Sequence, residues 1–276
     1  MILLLDAGNT RLKICLYQPI THGARSLSLA QESAFIPSPI QNVLAIDLNQ
    51  LEDPHRLADS ILELQAGALK DINQVWAVSV AGQHFNHLIE HQLKRLSLTV
   101  QWLRPSRRLH GLENNYVDPD QLGADRWAAA IGLNTHFSNR LAPIILASFG
   151  TATTIDTLSI EPRFLGGLIL PGVDMMFESL ARRTAQLPLA HGSAVNHPTD
   201  TDQAIVSGVL ASQLGALQHQ FDIAQQTFKI DPIVCVSGGA WSKVEVAWSQ
   251  HFQLVAWQAL PHIVLEGLAA VATSPT

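Results

Sequence analysis

The sequence predicts an α/β protein with mixed sheets, built from two related halves. In both halves, short apolar runs of strand length alternate with longer segments of helical periodicity. A strand–turn–strand pattern occurs twice, about 140 residues apart, which indicates an internal repeat. Hydrophobic residues make up 47% of the 276 residues and charged residues only 14%, so the chain has ample material for a core. We expect two domains, residues 1–112 and 113–276.

The first half opens with a predicted β-hairpin. The apolar run MILLLD is too short for a helix, the turn residues Gly8, Asn9 and Thr10 follow it, and RLKICLY resumes a partly alternating pattern. Further on, QVWAVSVAG predicts a strand, HFNHLIEHQLKRL a helix and LTVQWL another strand. This order predicts a β-α-β unit.

The second half repeats the hairpin and adds long helices. LAPIILASFG and TATTIDTLSI predict two strands joined by a Gly-Thr turn. Residues 200–228 are rich in Ala and Gln and are entered through Thr and Asp, which predicts one long helix. PIVCVSGGAW predicts a strand that runs into a glycine pair, and HIVLEGLAAVAT predicts a closing helix.

Composition and missing motifs exclude several classes of protein. The net charge is −6 and Lys or Arg never form a run longer than two, so we expect no nucleic-acid partner. Asp6 interrupts the N-terminal apolar run, and no apolar stretch approaches the roughly 20 residues of a membrane helix. Cys15 and Cys235 lie in apolar runs, which is typical of buried reduced thiols, so we expect a cytoplasmic protein without a membrane partner. P-loop, Rossmann and nucleophile-elbow motifs are absent from the sequence.

The segment from Asp6 to Lys13 is the first candidate binding loop. An Asp at the end of a strand directs a carboxylate toward the turn, and Gly8 allows the backbone to approach a ligand closely. Asn9 and Thr10 add hydrogen-bond donors, and Lys13 could neutralise a phosphate. The alternative is an ordinary tight hairpin with a solvated Asp and Lys.

The run Ser148-Phe-Gly-Thr-Ala-Thr-Thr154 is the second candidate. Its turn hydroxyls and amides suit oxyanion binding, although β-branched Thr also simply favours strands. Two Gly-Thr hairpins that faced one another across a cleft between two domains would hold the phosphates of a nucleotide from both sides.

The third candidate is the run Gly123-Ala124-Asp125-Arg126 at a predicted helix start. The Asp125 carboxylate could take a proton from an attacking hydroxyl, while the Arg126 guanidinium binds an anionic substrate in bidentate fashion. Arg126 should also favour the ionised form of Asp125. The alternative is a carboxylate that stabilises the helix dipole, followed by a surface Arg.

Six motifs in order resemble the type III pantothenate kinase family, also known as the Bvg accessory factor family, over essentially the whole chain. They are residues 6–13, 123–126, 150–154, 166–172, 201–208 and 265–269. The resemblance implies two related domains of the actin/Hsp70/sugar-kinase-like (ribonuclease H-like) fold with a nucleotide cleft between them, and a homodimer. It also implies transfer of the γ-phosphoryl group of ATP to the primary hydroxyl of pantothenate, the first step of coenzyme A synthesis.

The resemblance also implies roles for individual residues. Asp125 corresponds to the general base, and Asp6 lies near Mg²⁺ and the phosphates. The adenosine side involves the Gly238-Gly239 turn. The residues implied to bind ATP are Asp6, Ala7, Gly8, Asn9, Thr10, Arg11, Leu12, Lys13 and Thr151. The residues implied to contact pantothenate are Tyr116, Gly123, Ala124, Asp125, Arg126 and Thr201.

Ser148 departs from the family pattern. The family commonly has Asp at this position, as a ligand of an activating monovalent cation, K⁺ or NH₄⁺. A neutral hydroxyl is a much poorer partner for a cation than a carboxylate. We therefore expect potassium dependence to be weak or absent, or the site to be completed by other oxygens.

Two other functions remain compatible with the same residues. One is a kinase of this fold for a different small hydroxy acid, since Asp125 and Arg126 would suit several such substrates. The other is a nucleotide-binding regulatory protein without turnover, although the presence of Asp6 and Asp125 argues against it.

Overall fold

The structure is a computed structural model that describes residues 1–19, 38–64, 72–251 and 256–274. Within these ranges the strands are β1 (Ile2–Ala7), β2 (Arg11–Tyr17), β3 (Leu44–Asp47), β4 (Gln74–Ser79), β5 (Val100–Trp102), β6 (Arg108–Leu109), β7 (Leu112–Asn114), β8 (Ile144–Phe149), β9 (Ala152–Leu158), β10 (Arg163–Pro171), β11 (Ile233–Ser237) and β12 (Trp257–Ala259). The helices are α1 (Arg56–Leu64), α2 (Gln83–Arg95), α3 (Ala124–His136), α4 (Val173–Arg183), α5 (Thr201–Phe228), α6 (Trp241–His251) and α7 (Ile263–Ala272).

Contacts between residues divide the chain into two compact units. The first unit contains residues 1–112, 116–138 and 262–276, and the second contains residues 113–115 and 139–261. Helices α3 and α7, which lie late in the sequence, thus pack with the N-terminal residues. The two continuous domains 1–112 and 113–276 stay a prediction, and the units of the structure differ from them by these two helices.

The first unit is built on a five-stranded sheet with the order β3-β2-β1-β4-β5. Strand β1 pairs antiparallel with β2 and parallel with β4, and β4 pairs parallel with β5 across α2. The predicted hairpin and β-α-β unit are therefore confirmed. All six residues of β1 are buried, which fits its unbroken apolar run as a central strand. Helices α3 and α7 pack on each other, and both pack on β4.

The second unit is built on a sheet in which β8 lies between β9 and β11. Strands β8 and β9 are antiparallel, which confirms the second hairpin, and β11 runs parallel to β8. The predicted long helix is confirmed as α5, which packs on β8 and β9 and buries apolar residues. An aromatic group of Phe149, Trp241, Trp248 and Trp257 belongs to this core.

Two further sequence expectations can be compared with the described residues. Cys15 and Cys235 are both free and buried, and burial raises the pKa of the Cys15 thiol to about 12. Within the described ranges, none of the helices combines the length and the apolar character that a membrane span requires. The α/β class with two mixed sheets is confirmed.

Candidate active site

Asp6 and Lys13 form an ion pair at the turn end of the β1–β2 ladder. The register places the two residues opposite each other, and Lys13 Nζ lies 3.3 Å from Asp6 Oδ2. Asp6 is only 6% exposed. Burial raises the pKa of the Asp6 carboxyl, and the positive charge of Lys13 only partly opposes this. Asp6 is therefore not the solvated carboxylate of an ordinary hairpin.

The rest of the loop divides into exposed polar residues and buried apolar ones. The N–H of Gly8 donates to the carbonyl of Arg11 at 3.0 Å and closes the turn, which leaves Asn9 and Thr10 exposed. Arg11 pairs with Asp47 on β3, with 3.3 Å between Nε and Oδ1. Ala7 and Leu12 are buried in the core. These two residues support the turn from the sheet, where Ala7 pairs with Leu12 and Leu12 also pairs with Ile46.

Asp125 lies in the first turn of α3, and its carboxylate folds back onto the start of the helix. Asp125 Oδ1 accepts a hydrogen bond from the main-chain N–H of Arg126 at 2.8 Å. Gly123 precedes the helix, and a Cβ there would lie 2.7 Å from Asp125 Oδ1. The absence of a side chain at Gly123 therefore leaves room for the carboxylate.

Burial and charge act in opposite directions on Asp125. Burial raises the pKa of the Asp125 carboxyl, the negative charge of Asp6 raises it further, and Arg126 only partly opposes both effects. Arg126 thus favours the ionised form of Asp125, as the sequence indicated, but the loss of hydration is the larger effect. The effect of Asp6 on Asp125 also shows that the two carboxylates lie within electrostatic range of each other.

Arg126 and Tyr116 are held together beside Asp125. Arg126 is 7% exposed, so the alternative of a surface arginine is wrong. Its Nη1 donates to the Tyr116 hydroxyl at 2.9 Å, and its guanidinium carbon lies 5.8 Å from the centre of the Tyr116 ring. The structure thereby brings five of the predicted residues into the first unit around one helix start and one hairpin: Asp6, Lys13, Tyr116, Asp125 and Arg126.

The donor set around Asp6 fits a magnesium ion that is shared with phosphates. Among the described residues, no three His, Cys, Asp or Glu side chains are grouped to hold a metal. Mg²⁺ commonly needs only one or two carboxylates because substrate phosphates and water complete its shell. The buried Asp6 carboxylate, within electrostatic range of Asp125, is such a donor.

His262 lies within electrostatic range of Lys13 and was not predicted from the sequence. It precedes α7, and its buried Nδ1 has no hydrogen-bond partner among the described residues. Burial lowers the pKa of His262, and the charge of Lys13 lowers it further. No sequence signal could have found this residue, because HIVLEGLA indicates only a packed helix.

Ser148 and Thr151 lie in the second unit, on and after β8. Ser148 pairs with Thr154 on β9 and with Ser237 on β11, so the three hydroxyl side chains occupy one row across the sheet. Thr151 is exposed in the turn that follows.

Two glycines pack against the Gly150-Thr151 turn. The N–H of Gly172 donates to the Thr151 carbonyl at 3.1 Å, and a Cβ at Gly172 would overlap the main chain of this turn. Gly238 has a φ of +93°, and a Cβ there would overlap the main chain of Phe149. These close approaches fix the main chain next to Thr151.

Thr201 begins helix α5 in the second unit. Asp200 caps this helix, and its Oδ1 accepts from the Gln203 N–H at 2.8 Å. Thr201 is exposed and lines a cavity of about 380 Å³ together with residues that include His191, Ser193 and Asp202.

This chain is similar to proteins of a known family over most of its length. A family model described as type III pantothenate kinase matches residues 2–223. The type III pantothenate kinase of Bordetella bronchiseptica is 37% identical over 280 residues, which cover 99% of this chain and 97% of that protein. The type III pantothenate kinase of Janthinobacterium sp. is 36% identical over 286 residues, which cover 100% of both chains.

Solved structures share the fold at low sequence identity. A protein from Campylobacter jejuni described as a Baf family transcriptional activator superposes with a TM-score of 0.56 and 17% identity, over 98% of this chain and 96% of that one. A protein from Sinorhizobium meliloti described as a 2-dehydro-3-deoxygalactonokinase superposes with a TM-score of 0.55 and 14% sequence identity. The match covers 99% of this chain and 98% of that one. The expected actin-like and sugar-kinase-like fold class is thereby confirmed. On the family match and the full-length relatives, the chain belongs to the type III pantothenate kinase family.

Proposed function

We propose that this chain transfers the γ-phosphoryl group of ATP to the primary hydroxyl of pantothenate, forming 4'-phosphopantothenate and ADP in the first step of coenzyme A biosynthesis. The observation that carries the proposal is that one unit contains both carboxylates, with Asp6 paired to Lys13 and Asp125 bonded to the start of α3. Lys13 accompanies the first carboxylate and Arg126 the second. Such an arrangement supplies a phosphate-neutralising side and a proton-accepting side.

In this proposal Asp125 is the general base. It accepts the proton of the pantothenate hydroxyl while that oxygen forms a bond to the γ-phosphorus and the bond from phosphorus to the β–γ bridging oxygen breaks, so that ADP leaves. A raised pKa suits the role, because a base whose pKa is nearer the working pH retains the proton more readily after transfer. The Arg126 N–H holds Oδ1 and thereby sets the direction of the carboxylate.

Asp6 and Lys13 form the phosphate side of the proposed site. Lys13 offers a positive charge to the phosphates from a side chain that is still 37% exposed. Asp6 would hold Mg²⁺, which supplies charge neutralisation to the transferring phosphoryl group. The exposed Asn9 and Thr10, and the main chain from Ala7 through Leu12, complete the first nucleotide loop in this proposal. Thr151 contributes the second nucleotide contact, beside a turn that Gly172 and Gly238 hold closely.

Arg126 is the proposed partner of the pantothenate carboxylate. A guanidinium pairs with a carboxylate in bidentate fashion, and its burial strengthens the interaction. Tyr116 orients the guanidinium through its hydroxyl at 2.9 Å. Gly123 and Ala124 place their main chain at the same helix start, and Thr201 is a further proposed contact from the second unit.

The requirement for a monovalent cation depends on the residue at position 148. The position of the usual carboxylate is occupied by Ser148, which has Thr154 and Ser237 beside it in the sheet. Hydroxyl oxygens bind K⁺ without charge compensation, so we propose a weak site or none at Ser148. Turnover measured in K⁺ and in Na⁺ tests this proposal.

We also infer that the enzyme is a homodimer in the cytoplasm. Apolar side chains are exposed on β10, at Leu165 and Ile169, and on the following helix α4, at Met175. Exposed apolar side chains of this size are compatible with a protein partner. Light scattering after gel filtration should give about twice the mass of 30.1 kDa. The buried thiols Cys15 and Cys235 are in keeping with a reducing compartment.

The experiment that tests the proposed reaction is a coupled assay of ADP release with Mg²⁺-ATP, with and without pantothenate. We expect release to depend on pantothenate, and mass spectrometry to identify 4'-phosphopantothenate. Asp125→Asn keeps a similar shape but removes the proton acceptor, so turnover should fall about 10²- to 10⁴-fold. ATP binding to this variant, measured by calorimetry, should stay within about threefold of wild type.

Other outcomes of the same assay would replace the proposal. ATP binding with no pantothenate-dependent release would favour the nucleotide-binding protein without turnover. Release with a different hydroxy acid, but not with pantothenate, would favour another kinase of this fold. An Asp125→Asn variant with wild-type turnover would remove Asp125 from the role of base.

A further inference from the structure

Arg107 holds the main chain of the segment that carries Tyr116. Its Nη1 donates to the Tyr116 carbonyl at 2.7 Å, and its Nη2 donates to the Val117 carbonyl at 2.9 Å. Both distances are those of charge-assisted hydrogen bonds. A guanidinium presents its N–H groups as a rigid fork, so two adjacent carbonyls fix its plane and are themselves fixed by it.

The segment needs this support because it has no regular secondary structure. Tyr116 and Val117 lie between β7 and α3, outside every ladder and helix, and the Val117 side chain is 98% exposed. Carbonyls outside regular structure must find partners in side chains or water. Arg107 supplies such a partner at two successive residues.

Tyr116 is consequently held at both ends by arginines. Arg107 binds its carbonyl oxygen, and Arg126 binds its phenol oxygen at 2.9 Å and lies near its ring. Arg126 in turn follows Asp125, whose Oδ1 accepts its main-chain N–H. A continuous series of contacts therefore joins the exposed Arg107 to the helix start.

We propose that Arg107 is a positioning residue for pantothenate binding: it fixes the main chain of Tyr116 so that the phenol holds the Arg126 guanidinium in its carboxylate-binding orientation. This inference rests on the proposed function, in which Arg126 binds the pantothenate carboxylate. Arg107 touches neither substrate in the proposal and acts through the main chain of Tyr116. The ATP side, with Asp6 and Lys13, should not respond to it.

The test compares Arg107→Ala and Arg107→Lys with the matched control Arg104→Ala, an exposed arginine three residues earlier. We expect Arg107→Ala to raise KM for pantothenate about tenfold, with kcat and KM for ATP within about twofold of wild type. The KM of Arg107→Lys for pantothenate should lie between those of wild type and Arg107→Ala. An ammonium can donate to one carbonyl but lacks the paired N–H groups of a guanidinium. Arg104→Ala should resemble wild type.

A double-mutant cycle with Tyr116→Ala separates positioning from general stability. If Arg107 acts through Tyr116, its replacement should have little further effect on KM for pantothenate once the ring is gone. Additive effects of the two substitutions would overturn the proposal. An equal rise in both KM values, or a lowered melting temperature with unchanged KM values, would also overturn it and leave Arg107 a structural residue.

Failure of the proposed function would be visible separately, in wild type. If wild type releases no ADP with pantothenate, calorimetry with pantothenate as the titrant replaces the kinetic readout. A Kd about tenfold higher for Arg107→Ala would then still support the positioning role. No binding of pantothenate to wild type would overturn both proposals.

Discussion

Lys13 stands opposite Asp6 in the β1–β2 ladder, with 3.3 Å between Nζ of the lysine and Oδ2 of the carboxylate. Directly paired residues of antiparallel strands present their side chains on the same face, so the hairpin register itself creates the ion pair. Burial nevertheless raises the pKa of Asp6, and Lys13 limits rather than reverses that rise. In the proposed function, this contact gives way to a contact of Lys13 with phosphate and of Asp6 with Mg²⁺.

Replacement of Lys13 by Met should impair the phosphate side of the site. We expect kcat/KM for ATP to fall at least about tenfold, because a preorganised positive charge near the phosphates is lost. The unfolding free energy should fall by about 1–3 kcal/mol, because the buried Asp6 carboxylate loses its partner. Steady-state kinetics and urea unfolding measure the two effects.

Lys243→Met is the matched control for this substitution. Lys243 pairs with Asp174 at 2.5 Å, and both side chains are at least half exposed. Its loss should change the unfolding free energy by about 0–1 kcal/mol and leave kcat/KM for ATP at the wild-type value. Equal kinetic losses in the two variants would contradict a specific role for Lys13.

Asp125→Asn should make the ligand-free protein more stable at neutral pH. The folded state raises the pKa of Asp125 above its ordinary value of 3.8, so it binds the proton more tightly than the unfolded state does. Stability from this group is therefore full below the unfolded-state pKa and is lost as the pH rises through the folded-state pKa. The neutral amide avoids that loss at pH 7.

Urea unfolding between pH 4 and pH 8 measures this effect. The advantage of Asp125→Asn over wild type should shrink as the pH falls toward 4, where the Asp125 carboxyl of wild type is also increasingly neutral. A variant that is less stable than wild type at pH 7, or an advantage that does not depend on pH, would contradict a raised pKa at Asp125. In wild type, the acid limb of the pH profile of kcat/KM should lie above pH 3.8 for the same reason.

Ser148→Asp should create potassium activation where wild type has little. The new carboxylate would lie beside the Thr154 and Ser237 hydroxyls in the sheet and would supply the missing negative charge for a cation. We expect wild-type turnover in K⁺ and in Na⁺ to agree within about twofold, and the variant to show saturable activation by K⁺. Ser148→Ala is the control and should keep the wild-type salt response. Strong, saturable potassium activation of wild type would refute the prediction.

Gly267→Ala should destabilise the first unit, because α3 and α7 approach most closely at this glycine. A Cβ there would overlap the carbonyl oxygen of Ala128, and that atom belongs to a packed backbone. We expect a loss of about 1–3 kcal/mol in unfolding free energy, or more if the helices cannot separate. Thermal and urea unfolding measure it.

Gly215→Ala is the matched control for the helix crossing. Gly215 is exposed within α5, and a Cβ there would meet no atom within 4 Å. This substitution should raise the unfolding free energy by about 0.4–1 kcal/mol, because alanine loses less backbone freedom on folding. Similar losses of unfolding free energy at both glycines would contradict the overlap with Ala128 as the cause of the loss at Gly267.

Local sequence patterns were sufficient to predict most of the secondary structure. The hairpins around Gly8 and Gly150, the helix α2 and the long helix α5 all follow from turn residues and from apolar periodicity. Asp125 was also predicted at a helix start because Gly123 precedes it. These features depend on neighbours within a few residues, so the sequence carries them directly.

The packing of α3 and α7 could not be predicted from the sequence in the same way. Each helix has an apolar face that fits many sheets, and the close approach at Gly132 and Gly267 lets the two helices pack on each other in the first unit. The sequence indicated that Arg126 favours the ionised form of Asp125. The larger, opposing effect of burial depends on residues that are distant in the chain.

The sequence by itself therefore determined the elements, their order, the family and the chemical types of the candidate site residues. Tertiary structure alone decided which residues meet: Lys13 with Asp6, Tyr116 with Arg126, and Arg107 with the Tyr116 carbonyl. The physical reason is that hydrogen-bonded turns and helical periodicity are short-range, whereas loss of hydration and charge coupling depend on whatever the rest of the chain places nearby.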